Sequence, residues 1–147
     1  REDEIAVEAM PALPLRVGAE NRFGEGDLLF YRTYVRFLGE TPGIHLSYPV
    51  GGYFDDMARW VDAPSEPTRF FSIDPDGESE KPAGDYLVGY ARGYYGETVG
   101  LPERMARYAK DKGLTPVGPV YNIYLHDEVS VKDESRYLMQ ASVAVRG

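Results

Sequence analysis

The amino-acid sequence predicts an α+β fold made of two similar halves, each with the order strand, helix, strand, strand. Both halves place one amphipathic helix pattern among alternating apolar segments of the kind that form half-buried strands. The residues that follow the two helix patterns also match, Gly39-Glu40-Thr41-Pro42-Gly43 in the first half and Gly113-Leu114-Thr115-Pro116-Val117-Gly118 in the second. A segment rich in glycine, proline and acidic residues, 74–82, joins the halves. We therefore expect a single domain over residues 1–147, with repeats over about 1–74 and about 83–147.

In the first half, Ile5–Ala9 alternates as a short strand, and we expect Leu13–Val17 to continue it beyond Pro11. A helix is predicted over Asp27–Leu38, because Asp27 can cap its first turn and Gly39 can end it. Two further strands are predicted over Ile44–Val50 and Thr68–Ile73. The stretch between these two strands, which begins with Gly51-Gly52, is predicted to be turns.

In the second half, a strand is predicted over Asp85–Arg92, and a helix begins near Thr98–Pro102 and ends at Gly113. The helix pattern puts Leu101, Met105, Tyr108 and Ala109 on one face. Strands over Val117–His126 and Arg136–Val145 complete the half, so that its order repeats that of the first.

The composition limits the classes of function. Both halves are acidic, with 7 basic against 12 acidic residues over 1–73 and 9 against 12 over 74–147, for a net charge of −8. Direct binding of nucleic acid by this chain is therefore not expected. The chain has no cysteine, which excludes disulfides and thiolate chemistry and favours a cytoplasmic location. No apolar run is long enough to cross a membrane.

Residues that would support metal or nucleophilic catalysis are scarce. The only histidines are His45 and His126, and the chain has no G-x-S-x-G element. The acidic segment Asp74–Glu78 has its glycine at the fourth position, whereas a calcium loop of the EF-hand type needs it at the sixth. We therefore expect no metal site, no cofactor and no catalytic residue.

One stretch of the second half resembles a known family. Gly118-Pro119-Val120-Tyr121-Asn122-Ile123-Tyr124-Leu125 follows a helix that ends at Gly113, and upstream lie the strand Gly84–Tyr90 and Gly93-Tyr94-Tyr95. This order resembles the effector-binding domains of MerR-type and some AraC-type bacterial regulators, which also occur alone in gyrase-inhibitory-protein-like proteins. The resemblance implies two strand-helix-strand-strand repeats about a pseudo-twofold axis. Antiparallel sheets would form a ligand groove, with the helices packed outside.

The strand over Val120–His126 alternates in polarity, so its two faces should differ. We expect the more apolar set, Tyr121, Ile123 and Leu125, to pack under the helices, which would leave Asn122 and Tyr124 in the groove. The resemblance implies a glutamate where this chain has Asn122, and in the family that carboxylate faces cationic ligands or acts as the acid-base group of a few hydrolytic members. The alternative is that Asn122 only satisfies backbone groups at a strand edge.

Aromatic residues are abundant, with 12 tyrosines, six phenylalanines and one tryptophan. Aromatic rings bind flat or cationic compounds by stacking and cation–π contact, although tyrosine is also a common strand residue with no such role. We expect about half of the aromatic residues on groove strands and their loops to line a ligand pocket. This candidate set consists of Tyr48, Tyr53, Trp60, Phe71, Tyr90, Tyr124 and Tyr137.

These observations favour a small-molecule-sensing domain of a bacterial transcriptional regulator, binding aromatic or amphipathic compounds, cationic ones included, as in multidrug sensing. DNA would be bound by a domain upstream of Arg1, and the full-length protein would be a homodimer. An alternative is a stand-alone hydrolase of the same fold, in which Glu8 or another acid replaces the missing glutamate. A third is a gyrase-inhibitor-like protein that acts by surface contact.

Overall fold

The described strands of this protein belong to one antiparallel sheet. The computed structural model describes residues 5–20, 50–64, 66–92, 100–124 and 138–146. Its described strands are β1 (Ile5–Met10), β2 (Leu13–Val17), β3 (Val50–Phe54), β4 (Arg69–Ile73), β5 (Ser79–Lys81), β6 (Gly84–Arg92), β7 (Thr115–Tyr124) and β8 (Leu138–Arg146). The described helices are α1 (Met57–Asp62) and α2 (Leu101–Lys112).

The sheet order shows the predicted pseudo-twofold arrangement. The order is β1-β6-β8-β7-β3-β4-β2-β5, so the triplet β6-β8-β7 meets the triplet β3-β4-β2 at the β7–β3 pair. Read from its outer strand towards the β7–β3 pair, each triplet contains the first, the third and then the second strand of its repeat. The first strand of the first repeat is therefore β2, and β1 and β5 are additional strands at the two edges.

The separation of β1 from β2 forces the sheet to curl. In a flat sheet, the first and seventh strands would lie about 29 Å apart, at about 4.8 Å per strand. Only residues 11 and 12 connect β1 to β2, and that chain spans at most about 11 Å. The sheet is accordingly a curled half-barrel, and its two faces are unlike.

The two faces carry separate apolar clusters. The helix face holds residues of both described helices, including Trp60, Leu101 and Met105, packed on Phe54 and Val143. The opposite face, which we call the concave face, has its own buried cluster to which neither described helix contributes. This second cluster consists of Leu15, Phe71, Tyr86, Val88, Tyr121 and Ile123.

Most predicted elements of the second half are confirmed. The strand predicted over Asp85–Arg92 is β6, and α2 carries the expected buried face of Leu101, Met105 and Ala109. Gly113 ends α2 with a φ of 69°, a left-handed conformation that glycine adopts at little cost. The predicted helix Asp27–Leu38 and the strand Ile44–Val50, apart from its last residue, lie outside the described residues.

Two predictions for the first half are wrong. Leu13–Val17 does not continue β1 but pairs with β4 and β5. The turn predicted at Gly51-Gly52 is part of β3, where a Cβ on Gly51 would lie 2.0 Å from the Asn122 carbonyl oxygen, so the position needs glycine for close strand approach. The segment after it forms α1, whose N-cap Asp56 accepts a 2.8 Å hydrogen bond from the Arg59 amide. The acidic joint also contains a strand, β5.

The prediction of which β7 side chains pack under the helices is also wrong. Val120 belongs to the cluster on the helix face, whereas Tyr121 and Ile123 belong to the cluster on the concave face. Asn122 alternates with Tyr121 and pairs with Ala141, which also lies on the helix face. The more apolar residues do not mark the helix side here, because both faces of this curled sheet are buried.

We predict that Asn122→Glu will destabilise the fold. Asn122 is 3% exposed, and its Oδ1 has no hydrogen-bond partner among the described residues, so a carboxylate there would be desolvated. A loss of about 2–4 kcal/mol in the free energy of unfolding is expected from urea titration. Thr115→Glu, at an exposed position of the same strand, is the matched control and should change stability little. Equal stability of the two variants would contradict the placement of Asn122.

Candidate ligand-binding site

The concave face centres on the ring of Tyr121. Tyr53 on β3 meets this ring edge-to-face, with centroids 5.7 Å apart and planes at 81°. Phe71 on β4 meets it in the same way, at 5.6 Å and 83°. Both distances suit favourable aromatic pairs. The central pairing of β7 with β3, in which Tyr121 lies opposite Tyr53, thus builds a rigid aromatic surface.

A buried lysine lies against this surface. Lys81 is 1% exposed, and its Nζ donates a 2.8 Å hydrogen bond to the Ser142 hydroxyl on β8. The same Nζ lies 4.5 Å from the centroid of the Tyr86 ring and 5.1 Å from that of Tyr121. It also approaches the sulfur of Met10 at 3.5 Å. The lysine of the edge strand β5 therefore reaches across the concave face to β8 and β1.

The surroundings of Lys81 compensate its charge only in part. Two ring faces attract an ammonium group, and Ser142 accepts one hydrogen bond. Among the described residues, however, no carboxylate forms an ion pair with Nζ. Burial accordingly lowers the pKa of Lys81 from 10.5 to about 8. Burial, together with the neighbouring Tyr86 and Tyr53, raises the pKa of Tyr121, and burial also raises the pKa of Tyr86.

A cavity of about 530 Å³ opens beside the aromatic surface. Tyr53 and Tyr121 form part of its wall, and Ser79 and Glu80, which precede Lys81 on β5, form another part. The wall also includes Leu15, Val17, Gly18 and Arg69. Arg69 is held there by a 3.1 Å hydrogen bond from its Nη1 to the Gly18 carbonyl oxygen. The volume lies within the range of small-molecule sites.

A second cavity, of about 770 Å³, lies on the helix side between the two described helices. Its wall is formed by Asp56, Met57, Ala58, Val61, Asp62, Ala106, Pro116 and Gly118. It lacks the aromatic residues of the concave face. In the described ranges, no group of three acidic or histidine side chains could hold a metal ion, and no helix is long and apolar enough to span a bilayer.

The structure brings three of the predicted site residues to one face. Tyr53, Phe71 and Tyr90 all lie with the cluster on the concave face, and the Tyr90 hydroxyl accepts a 3.1 Å hydrogen bond from Gln140. Asn122 and Trp60 lie on the helix face instead, where Trp60 packs against Phe54.

The other three predicted site residues cannot be placed in the same way. Tyr124 ends β7, and nothing is described of its side chain. Tyr48 and Tyr137 lie outside the described residues.

Four residues of this site were missed by the sequence analysis: Lys81, Ser142, Tyr86 and Tyr121. Tyr121 was assigned to the wrong face, and Tyr86 was treated only as part of a strand. Lys81 lies in a segment that reads as an exposed acidic turn, so its burial had no local signal.

Solved structures share this fold. The crystal structure of the EcmrR C-terminal domain matches with a TM-score of 0.66 and 11% identity over 97% of both chains. This chain has the fold of that domain. It also matches EcmrR in a cryo-EM structure of its DNA complex, with a TM-score of 0.67 and 12% identity, and spans 57% of that protein. A hydrolase from Listeria innocua matches with a TM-score of 0.57 and 14% identity over 99% of this chain and 93% of that one. No protein-family model matches the sequence, and no curated protein does.

We predict that the stability of the protein rises between pH 7 and pH 9.5 and that Lys81→Met abolishes the rise. With a folded pKa of about 8 and an unfolded pKa of 10.5, the unfolded chain binds more protons at Lys81 in this range. Raising the pH therefore removes the free-energy cost of the buried charge. The free energy of unfolding should increase by about 2 kcal/mol between pH 7 and pH 9.5. Above pH 10 the trend should reverse, because Tyr86 and Tyr121 keep their protons only in the folded state.

The measurement is urea unfolding at several pH values. Lys112→Met is the matched control, because Lys112 also lies over a tyrosine ring, at 5.8 Å from Tyr108, but is exposed. Parallel pH profiles for the unmodified protein and the Lys81→Met variant would show that Lys81 is not desolvated.

Proposed function

We propose that this chain is the ligand-sensing domain of a bacterial transcriptional regulator, with its ligand site in the cavity on the concave face. The supporting observation is the buried aromatic surface of Tyr53, Phe71 and Tyr121 beside a cavity of about 530 Å³. Two tyrosines of the wall offer ring surface to a flat or amphipathic molecule, and Arg69, Ser79 and Glu80 are polar groups that could orient it. The shared fold with the EcmrR C-terminal domain supports a role in regulation.

Binding of DNA would be the task of another part of the regulator. EcmrR is seen in complex with DNA, and this chain matches 57% of its length. The net charge of −8 is consistent with a domain that does not itself neutralise phosphates. In this proposal the ligand changes the relative arrangement of two protomers of a cytoplasmic homodimer, and the DNA-binding domains respond.

A hydrolase is the second candidate, and it is favoured by the likeness to the Listeria protein. Such an enzyme needs an acid-base group beside the bound substrate. Glu80 lines the cavity, and Glu8 pairs across the sheet with Tyr86 on the concave face. Both acids are exposed, and so neither has the enclosed setting that would favour proton transfer. We therefore rank the sensor first.

We predict that Tyr53→Ala weakens binding of aromatic compounds by at least about twofold, since an aromatic contact is worth about 0.5–2 kcal/mol. A panel of aromatic and amphipathic dyes, tested by thermal shift and dye fluorescence, would provide the ligands. Tyr108→Ala, at a half-buried tyrosine of α2, is the control and should leave binding unchanged.

Two results would contradict the proposal. A panel that produces neither a thermal shift nor a change in fluorescence would argue against a sensor. Turnover of an ester or epoxide panel that is lost in Glu80→Gln or Glu8→Gln would favour the hydrolase.

A further inference from the structure

The buried ammonium of Lys81 has no anionic partner within the described part of the chain. A charge that is removed from water without a counter-charge is costly, even where rings and a hydroxyl surround it. An ammonium group has three N–H donors. At Lys81 Nζ, Ser142 accepts one of them at 2.8 Å, and the Met10 sulfur, at 3.5 Å, is a weak acceptor. The site can therefore still take a strong acceptor that carries a negative charge.

The cavity lies close enough to supply that acceptor. Tyr121 is common to both, since its ring lies 5.1 Å from Lys81 Nζ and forms part of the cavity wall. Ser79 and Glu80 extend the wall up to the residue that precedes Lys81. Lys81 is itself buried and is not part of the wall, so pairing with a ligand requires its ammonium to leave Ser142, a movement that the flexible four-carbon side chain allows.

The charges around the cavity disfavour a cation. Among the described residues, Arg69 and Glu80 form part of the wall, and Lys81 Nζ lies 5.1 Å from the ring of Tyr121, another wall residue, so that two positive groups and one carboxylate lie at or next to the cavity. The ring faces of Tyr86 and Tyr121, which would otherwise attract a cationic ligand, already hold the ammonium of Lys81. A ligand with a positive charge would meet both a repulsive field and an occupied aromatic site.

We propose that this site binds aromatic carboxylates, with the ring against Tyr53 and Tyr121 and the carboxylate paired with the ammonium of Lys81. The proposal rests on the proposed function and names its ligand class. The ring of such a ligand can pack against the two tyrosines of the cavity wall, whose own ring centroids lie 5.7 Å apart, and its carboxylate supplies a counter-charge to the ammonium. A nearby carboxylate would also offset the burial that lowers the pKa of Lys81.

The test compares three probes of one shape, 2-naphthoate, 2-naphthamide and 2-naphthylmethylammonium, by calorimetric titration at pH 7. In the unmodified protein, 2-naphthoate should bind at least tenfold more tightly than the amide, because a hydrogen bond to a charged group is worth more than one between neutral groups. The ammonium probe should bind most weakly. Lys81→Met should bring the affinities for 2-naphthoate and the amide to within about twofold.

Lys112→Met is the control, because it removes an exposed lysine over a tyrosine and should leave the tenfold preference intact. The comparison among the probes in the unmodified protein needs no variant, so it tests the ligand class even if Lys81→Met fails to fold. Equal affinities for all three probes would overturn the carboxylate proposal and leave the sensor proposal standing. A preference that persists in a folded Lys81→Met variant would overturn the role of Lys81. Binding of none of the probes would count against the site on the concave face itself.

Discussion

The short connection between β1 and β2 is the constraint on which the rest of the structure depends. Two residues join strands that hold the first and seventh positions of the sheet, so that the sheet must curl. The curl encloses a face that neither described helix covers, and there the side chains of opposite edges meet. Lys81 on β5 can contact Met10 on β1 and Ser142 on β8 only because of it. In a flat sheet, β5 and β8 would lie about 24 Å apart.

The paired strands β7 and β3, at the centre of the sheet, separate the buried cluster on the helix face from the buried cluster on the concave face. Towards the helices they present Val120 and Phe54, and towards the concave face they present Tyr121 and Tyr53. Gly51 lets the two strands and Phe71 approach closely, since a Cβ at this position would lie 2.8 Å from the Phe71 ring. The helix side therefore provides an apolar core, while the concave side combines an aromatic surface with one buried cation.

The sequence predicted the fold class and most of the second half, because β6, α2, β7 and β8 have clear periodicities and Gly113 marks the end of the helix. It failed where long-range geometry overrides local pattern. The Gly51-Gly52 pair is a turn signal by composition, but the approach of β7 makes it a strand.

The prediction of which face of β7 lies under the helices failed for a related reason. Alternation identifies two faces but does not say which one lies under the helices when both are buried. Asn122 was therefore expected beside Tyr53 and Phe71, but it lies on the other side of the sheet. Trp60, which was expected there as a loop residue next to the groove strands, also lies on the helix face. Lys81 could not be found from its neighbours, because its burial results from contacts 61 and 71 residues away.

The state of the Lys81 ammonium tests this interpretation most directly, and it can be followed by NMR with lysine labelled at the side-chain carbon next to Nζ. The chain has four lysines, and the Lys81→Met variant assigns the signal. Without ligand, the Lys81 signal should titrate with a pKa of about 8, well below the usual lysine value of 10.5. Addition of 2-naphthoate should raise this pKa, because a nearby carboxylate stabilises the charged form. A Lys81 signal that titrates near the usual lysine value of 10.5, and does not respond to 2-naphthoate, would contradict both the burial of the cation and its role in binding.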